Sequence, residues 1–222
     1  MNSNKKPKIV VLISGRGSNL QSIIGKAASN NSRFEIAAVI SNRPDAQGLL
    51  HAVDAGIPAE RLDNTKYSNR EEFDNALREL IDSYQPDLVV LAGFMRVLTV
   101  GFVQHYLGRM INIHPSLLPK FPGLDTHQKA LDAGDTAHGA TVHFVTPEVD
   151  GGPCIIHATV PVLENDNVDS LAARVLEKEH RIFPLAINWF AEGRLLFDDH
   201  RAVLDGQPLV AGGMELADIS DD

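Results

Sequence analysis

Residues 8–14, Lys-Ile-Val-Val-Leu-Ile-Ser, form an unbroken apolar run that stops at Ser14-Gly15. Polar and apolar residues do not alternate in it, so both faces need cover, which marks a strand inside a parallel sheet clothed by helices. Residues 87–92, Asp-Leu-Val-Val-Leu-Ala, repeat the pattern, and Phe34 to Ser41 and Met110 to His114 read as two further strands. Helical stretches lie between them. After Gly17, Leu20, Ile23, Ile24 and Ala27 recur at helical spacing in a stretch reaching Asn30, and a short helix from Ala46 to Ala55 closes at Gly56. The strongest helix begins at Ser68, where Ser68-Asn69-Arg70-Glu71 reads as a capping box. Behind it Phe73, Ala76, Leu77, Leu80, Ile81 and Tyr84 share one face until Pro86 stops the pattern. Strands alternating with helices over residues 8–115 indicate right-handed βαβ units and a twisted, mostly parallel sheet flanked by helices, an α/β fold.

The C-terminal half reads differently. Ala140 to Thr146 and Cys154 to Val162 form a pair of strands around an Asp-Gly-Gly-Pro turn, an antiparallel portion of the fold. A long helix follows, roughly Val168 to Ala191, in which Pro184 should introduce a kink. Arg194 to Leu209 reads as a closing hairpin. No repeat or linker interrupts the chain, so a single domain over residues 8–209 is expected, with a short extension (1–7) before it and an acidic, frayed tail (210–222) after it.

Composition narrows the function. The net charge of −9 argues against a general affinity for nucleic acid or an anionic membrane surface. A lone cysteine, Cys154, excludes an intramolecular disulfide and a cysteine-rich metal site, and within a strand it reads as a packing residue. The nine histidines show no HExxH and no zinc spacing, so no metal is expected. With no signal peptide and no apolar run of membrane length, the cytoplasm is the expected compartment.

Four places could carry chemistry. Ser14-Gly-Arg-Gly-Ser-Asn19 lies between the first strand and the first helix, at the carboxyl edge of the sheet where open α/β proteins bind ligands. Its glycines let the backbone approach an anion that the helix N–H groups then hold. Leu20 stands where a dinucleotide fingerprint needs a third glycine, and no Gly-Lys-Ser/Thr follows, so the loop suits a single phosphate. Asn112 and His114 point the same way from an otherwise apolar strand, just before Pro115, and a stiff segment with Pro115, Pro119 and Pro122 follows. Two such residues hydrogen-bonded to nearby backbone would be the structural alternative. Asp150, before Gly151 and Gly152, is a turn residue that would orient His114 if it reached the imidazole. Glu179 falls on the apolar face of the long helix with Leu171, Val175, Leu176 and Ile182, and there it should be paired, face a polar cavity or escape to solvent.

These motifs occur in a telling order: Ser14-Gly-Arg-Gly-Ser-Asn19, Leu91-Ala-Gly-Phe-Met-Arg96, Ile111-Asn-Ile-His-Pro-Ser-Leu-Leu-Pro119, Pro122-Gly-Leu-Asp-Thr-His127, and His143-Phe-Val-Thr through Asp150-Gly-Gly-Pro153. Over roughly residues 8–209 the chain resembles the phosphoribosylglycinamide formyltransferase family. The resemblance implies a Rossmann-like formyltransferase fold and transfer of a formyl group from 10-formyltetrahydrofolate, as co-substrate, to the amine of glycinamide ribonucleotide in purine synthesis. It implies that Asn112 and His114 stabilise the developing oxyanion, with Asp150 raising the histidine's proton affinity. It further implies that Gly17, Ser18 and Asn19 bind the substrate phosphate and Glu179 the glycinamide. Met95, Arg96, Val97 and Leu98, with Asn112 and Thr146, Pro147, Glu148, Val149 and Asp150, would form the folate pocket, and Arg70 would meet the folate's glutamate tail. The partners implied are small molecules, with the chain a monomer or homodimer.

Related readings share the Asn-x-His…Asp set. A methionyl-tRNA formyltransferase would carry a basic C-terminal domain, where this sequence has an acidic tail; a formyltetrahydrofolate deformylase would carry an N-terminal regulatory domain, where this one has seven residues. A nicotinamide-dependent oxidoreductase would account for the first βαβ unit but not for Asn112, His114 and Asp150. A non-catalytic phosphate-binding module would leave His114 without a task.

Overall fold

The computed structural model describes residues 5–219. The chain divides into two compact units, with the boundary between Ile111 and Asn112.

In the first unit, β1 (Lys8–Ile13), β2 (Glu35–Ser41), β3 (Ala59–Arg61) and β4 (Leu88–Leu91) stand in the order β4-β1-β2-β3. Every pair is parallel; Val11 of β1, for example, lies opposite Val39 on one side and Val90 on the other. Ile9 to Ile13 and Leu88 to Val90 are at most 1% exposed, so the unbroken apolar runs are covered on both faces. Each such side chain contributes about 1.5–3 kcal/mol when removed from water, and that gain fixes the sheet's centre. The helices α1 (Ser18–Ala27), α2 (Gly48–Asp54), α3 (Arg70–Ser83) and α4 (Val100–His105) return the chain between strands, and β5 (Met110–His114) carries it out of the unit.

The start of α3 corrects the sequence reading by one residue. Its N-cap is Asn69, not Ser68: the Asn69 side chain accepts from Glu72 N at 2.9 Å, and Glu72 reaches back to the main-chain N of Ser68 at 3.2 Å. Two adjacent residues could each cap this helix; Asn69 does so, and Glu72 takes the N–H of the residue before it rather than that of the cap, so the box is not closed. Phe73, Leu77 and Ile81 are buried as expected. The short elements β3, α4 and a 3-10 turn at Asn64–Lys66 carry too few residues for a periodicity to mark them in the sequence.

In the second unit, β6 (Ala137–Phe144) runs antiparallel to β7 (Cys154–Pro161), with the end of β5 on the far side of β6. The short α5 (Thr126–Asp132) precedes β6. The long helix α6 (Val168–Ala191), boxed at its start by Asn167 and Ser170, packs on both β6 and β7 and continues through Pro184. The segment read as a hairpin is a three-stranded antiparallel sheet of β8 (Leu195–Asp198), β9 (Arg201–Leu204) and β10 (Gln207–Pro208). Within the segment read as a frayed tail, β11 (Met214–Glu215) pairs parallel with β7. His157 ties it down, one ring nitrogen 2.9 Å from the Gly212 carbonyl and the other 2.9 Å from the Glu215 carboxylate. Residues 1–4 and 220–222 of the two expected extensions lie outside the described residues. The α/β class, the parallel sheet with flanking helices and the antiparallel C-terminal portion match what the sequence indicates.

Candidate active site

The phosphate-loop candidate belongs to the first unit and is built on close backbone contact. Gly17 has φ 77° and caps α1 without any side-chain hydrogen bond, so the first-turn N–H groups are not spoken for by a capping side chain. A Cβ on Gly17 would stand 2.8 Å from Gly48 Cα, and one on Gly48 would stand 2.7 Å from Ile13 Cδ1. Only glycines allow the loop and the start of α2 to touch in this way, and Gly48 N then donates to the Gly15 carbonyl at 2.9 Å. His51 braces the loop further, with Nε2 3.1 Å from the Arg16 carbonyl. Ser18 is half-buried, Asn19 is buried, and Arg16 is exposed.

Also in the first unit, the residues after β4 form an exposed apolar wall: Met95 is 57% and Val97 53% exposed, with Leu98 half-buried. Arg96 lies with its guanidinium carbon 4.4 Å above the Phe73 ring, and Thr99 N donates to the buried Asp74 carboxylate at 2.7 Å. Helix α3 thus supports this segment from beneath, while Arg70, its first residue, is exposed.

The second unit brings Asn112, His114 and Asp150 together. His114 is 5% exposed; its Nε2 lies 2.9 Å from the Phe121 carbonyl and its Nδ1 3.4 Å from Asp150 Oδ2. The same carboxylate oxygen accepts from Gly123 N at 2.8 Å. Asp150 holds this aim from a left-handed backbone conformation, φ 52°. Gly152 behind it is needed sterically, since a Cβ there would overlap the Phe144 carbonyl oxygen.

The geometry adds a residue that the sequence reading did not single out. His143 on β6 is 2% exposed, and burial holds its basicity below the usual histidine range against the opposing pull of the Phe144 carbonyl and Asp150. A neutral imidazole has one N–H and one lone pair. Nδ1, 2.9 Å from the Phe144 carbonyl, is the donor. Nε2 therefore accepts, and Asn112 Nδ2 donates to it at 3.1 Å. That contact fixes which way round the Asn112 amide stands. Two more histidines follow the same logic. His138, pushed down to about 4 by burial and then by His127, donates to the Pro115 carbonyl, which leaves Nε2 to face His127 Nδ1 at 3.1 Å. His127 is itself lowered by burial and by its neighbour His114. The signal was present in the sequence: His138 and His143 are polar residues in an apolar strand, the argument that singled out Asn112 and His114.

Glu179 is 7% exposed on α6 in line with Val175 and Ile182, so its carboxylate does not escape to solvent. Thr146, Pro147, Glu148 and Asp150 lie along one wall of a cavity of about 630 Å³ in the second unit, while Val149 is 53% exposed. Cys154 is buried and free, its thiol pushed up by burial, as suits a packing residue.

Comparison with known proteins bears on this arrangement. A family model described as Formyl transferase matches residues 7–187. The chain is 54% identical over 205 residues to the phosphoribosylglycinamide formyltransferase of Escherichia coli K12, covering 92% of this chain and 97% of that protein. It is 47% identical over 189 residues to human trifunctional purine biosynthetic protein adenosine-3, covering 85% of this chain and 19% of that longer one. Among solved structures, phosphoribosylglycinamide formyltransferase from Coxiella burnetii, in complex with CHES, superposes with a TM-score of 0.91 at 49% identity over 95% of this chain and 99% of that one. With most of its length matched in sequence and in structure, the chain belongs to the formyl transferase family.

Proposed function

We propose that this chain transfers the formyl group of 10-formyltetrahydrofolate to the amine of 5'-phosphoribosylglycinamide, a reading supported by relatives that bear the name phosphoribosylglycinamide formyltransferase. The observation that carries the reading is the Asn112–His143 contact beside His114 and Asp150. One N–H of the Asn112 amide is committed to a neutral histidine, which leaves the other to meet a substrate oxygen. An acyl transfer needs this combination: a fixed donor where negative charge develops, and a histidine to handle a proton.

In the proposed reaction the glycinamide amine attacks the formyl carbon, forming a C–N bond and pushing the carbonyl pair onto oxygen. Asn112 and His114 stabilise that oxyanion, and the Asp150 carboxylate balances positive charge on the imidazole. Collapse breaks the bond to N10 of the folate. The pair goes to N10, which receives the proton the amine gives up, relayed by His114. Gly17, Ser18 and Asn19 with the start of α1 hold the phosphate, and Glu179 takes the glycinamide. Met95, Arg96, Val97 and Leu98 with Thr146 to Asp150 receive the folate, and Arg70 its glutamate tail.

The test is tetrahydrofolate release from 10-formyltetrahydrofolate with and without glycinamide ribonucleotide, in the wild type and His114→Ala. We expect acceptor-dependent release, reduced by about 10²–10⁴-fold in the variant. Equal release without the acceptor would indicate a deformylase instead, and no release from folded protein would reject formyl chemistry.

A further inference from the structure

A chain of polar contacts in the first unit has no part in the reaction as described. Ser14 and Asn42, just past the carboxyl ends of β1 and β2, are each 3% exposed. Ser14 Oγ donates to Asn42 Oδ1 at 2.5 Å and accepts from Met95 N at 2.8 Å, while Ser14 N donates to the Gly93 carbonyl at 3.1 Å. One buried hydroxyl thus joins the root of the phosphate loop to the segment bearing Met95 and Arg96. On its other side Asn42 meets Asn64, whose main-chain N donates to the Asn42 carbonyl at 3.2 Å.

The Asn64 amide can stand either way round. With its oxygen towards Asn42 it accepts from Asn42 Nδ2 at 3.0 Å, but its nitrogen then faces Arg96 Nη1, donor against donor. Turned over, its nitrogen donates to the Asn42 carbonyl at 2.9 Å and its oxygen accepts from Arg96 Nη1 at 3.0 Å. The second orientation leaves the two amide nitrogens of Asn64 and Asn42 3.0 Å apart, but it exchanges one neutral bond for two, one of them charge-assisted, and removes a donor from the face of the guanidinium. Arg96 is then held on two sides, its plane by the Phe73 ring and its fork by Asn64. Its Nε–H is buried without a hydrogen-bond partner among the described residues, and so remains a donor in a guanidinium whose position is already set.

We propose that Asn64, anchored on Asn42 and Ser14, is a positioning residue that presents Arg96 to an acceptor oxygen of the formyl donor. This rests on the function proposed above. Holding the fork before the ligand arrives lowers the ordering cost of binding, and that gain goes to donor affinity rather than to the chemical step.

The experiment is steady-state kinetics on the full chain with each substrate varied, for the wild type, Asn64→Ala, Asn64→Leu and Asn64→Asp, with melting curves alongside. Asn64→Ala and the size-matched Asn64→Leu should each raise KM for 10-formyltetrahydrofolate about five- to tenfold, the size of one ordinary net hydrogen bond. Their kcat and their KM for glycinamide ribonucleotide should stay within about twofold. Asn64→Asp keeps an oxygen facing Arg96 Nη1 and should restore the wild-type KM. An unchanged donor KM in Asn64→Ala and Asn64→Leu, a matching fall in kcat, or failure of Asn64→Asp to restore it would overturn the proposal. Absence of transfer in the wild type would instead reject the function on which it rests.

Discussion

Asn112 shows how one side chain takes its role from its neighbours. An amide on a strand can rotate and offer oxygen or nitrogen to a ligand with little preference. Here His143 removes the choice, because burial keeps that ring neutral, the Phe144 carbonyl takes its only proton, and the remaining lone pair can hold only an N–H. Asn112→Ala should therefore lower kcat by about 10²–10³, the usual cost of one oxyanion donor, with circular dichroism and melting temperature little changed. His143→Leu should lower kcat about tenfold by freeing the amide to turn, and single-turnover rates on the two variants would rank them. A larger loss at His143 than at Asn112 would mean that His143 acts on the reaction directly and not through Asn112. The Asn112–His114 pair was legible in the sequence because two polar residues share one face of an apolar strand. Of the contacts that give them a task, the one from Asp150 to His114 could be expected from the family resemblance alone and the one from His143 to Asn112 not at all, since these partners lie 36 and 31 residues further along the chain and nothing local links them.

At the scale of elements, the sequence was informative wherever burial is continuous and silent where an element is short. The strands around Val10 and Val89 could be read because each is sealed on both faces, and α3 because Phe73, Leu77 and Ile81 recur over fourteen residues. Helices α4 and α5 span six and seven residues, too few for a repeat to stand out. The capping residue of α3 was ambiguous for a different reason, since Ser68 and Asn69 are both good caps. That correction is open to test by urea unfolding. Asn69→Ala removes the acceptor for Glu72 N and should cost about 1 kcal/mol. Ser68→Ala keeps the main-chain N–H that Glu72 uses and should change stability by less than about 0.5 kcal/mol. A larger loss at Ser68 would restore the reading first taken from the sequence.

For the molecule as a whole, the histidines of the second unit couple stability to pH. His127, His138 and His143 all have their basicity lowered, in each case first by burial. An unfolded histidine binds a proton as pH falls below about 6.5, while these rings resist it in the fold, so the unfolded chain gains protons that the native chain does not. Their contribution is therefore complete above pH 6.5 and is lost as pH falls towards the folded values. For His138, 1% exposed and titrating at about 4, the loss between pH 7.5 and pH 5 is about 2 kcal/mol. His127 and His143 act in the same direction. The carboxylates of Asp63, Asp166 and Asp205 are lowered by their hydrogen bonds, Asp166 and Asp205 to arginines, and they lose their contribution only in more acid solution. Two stages of acid destabilisation should thus be separable, one across pH 6.5 to 4 from buried imidazoles and a later one from carboxylates. Urea midpoints measured at half-unit steps should fall through the first window in the wild type. Replacing His138 by Gln, which keeps a polar group but cannot titrate, should flatten that fall. A wild-type midpoint constant from pH 7.5 to 5 would mean that the buried rings take up protons as readily as the unfolded chain does.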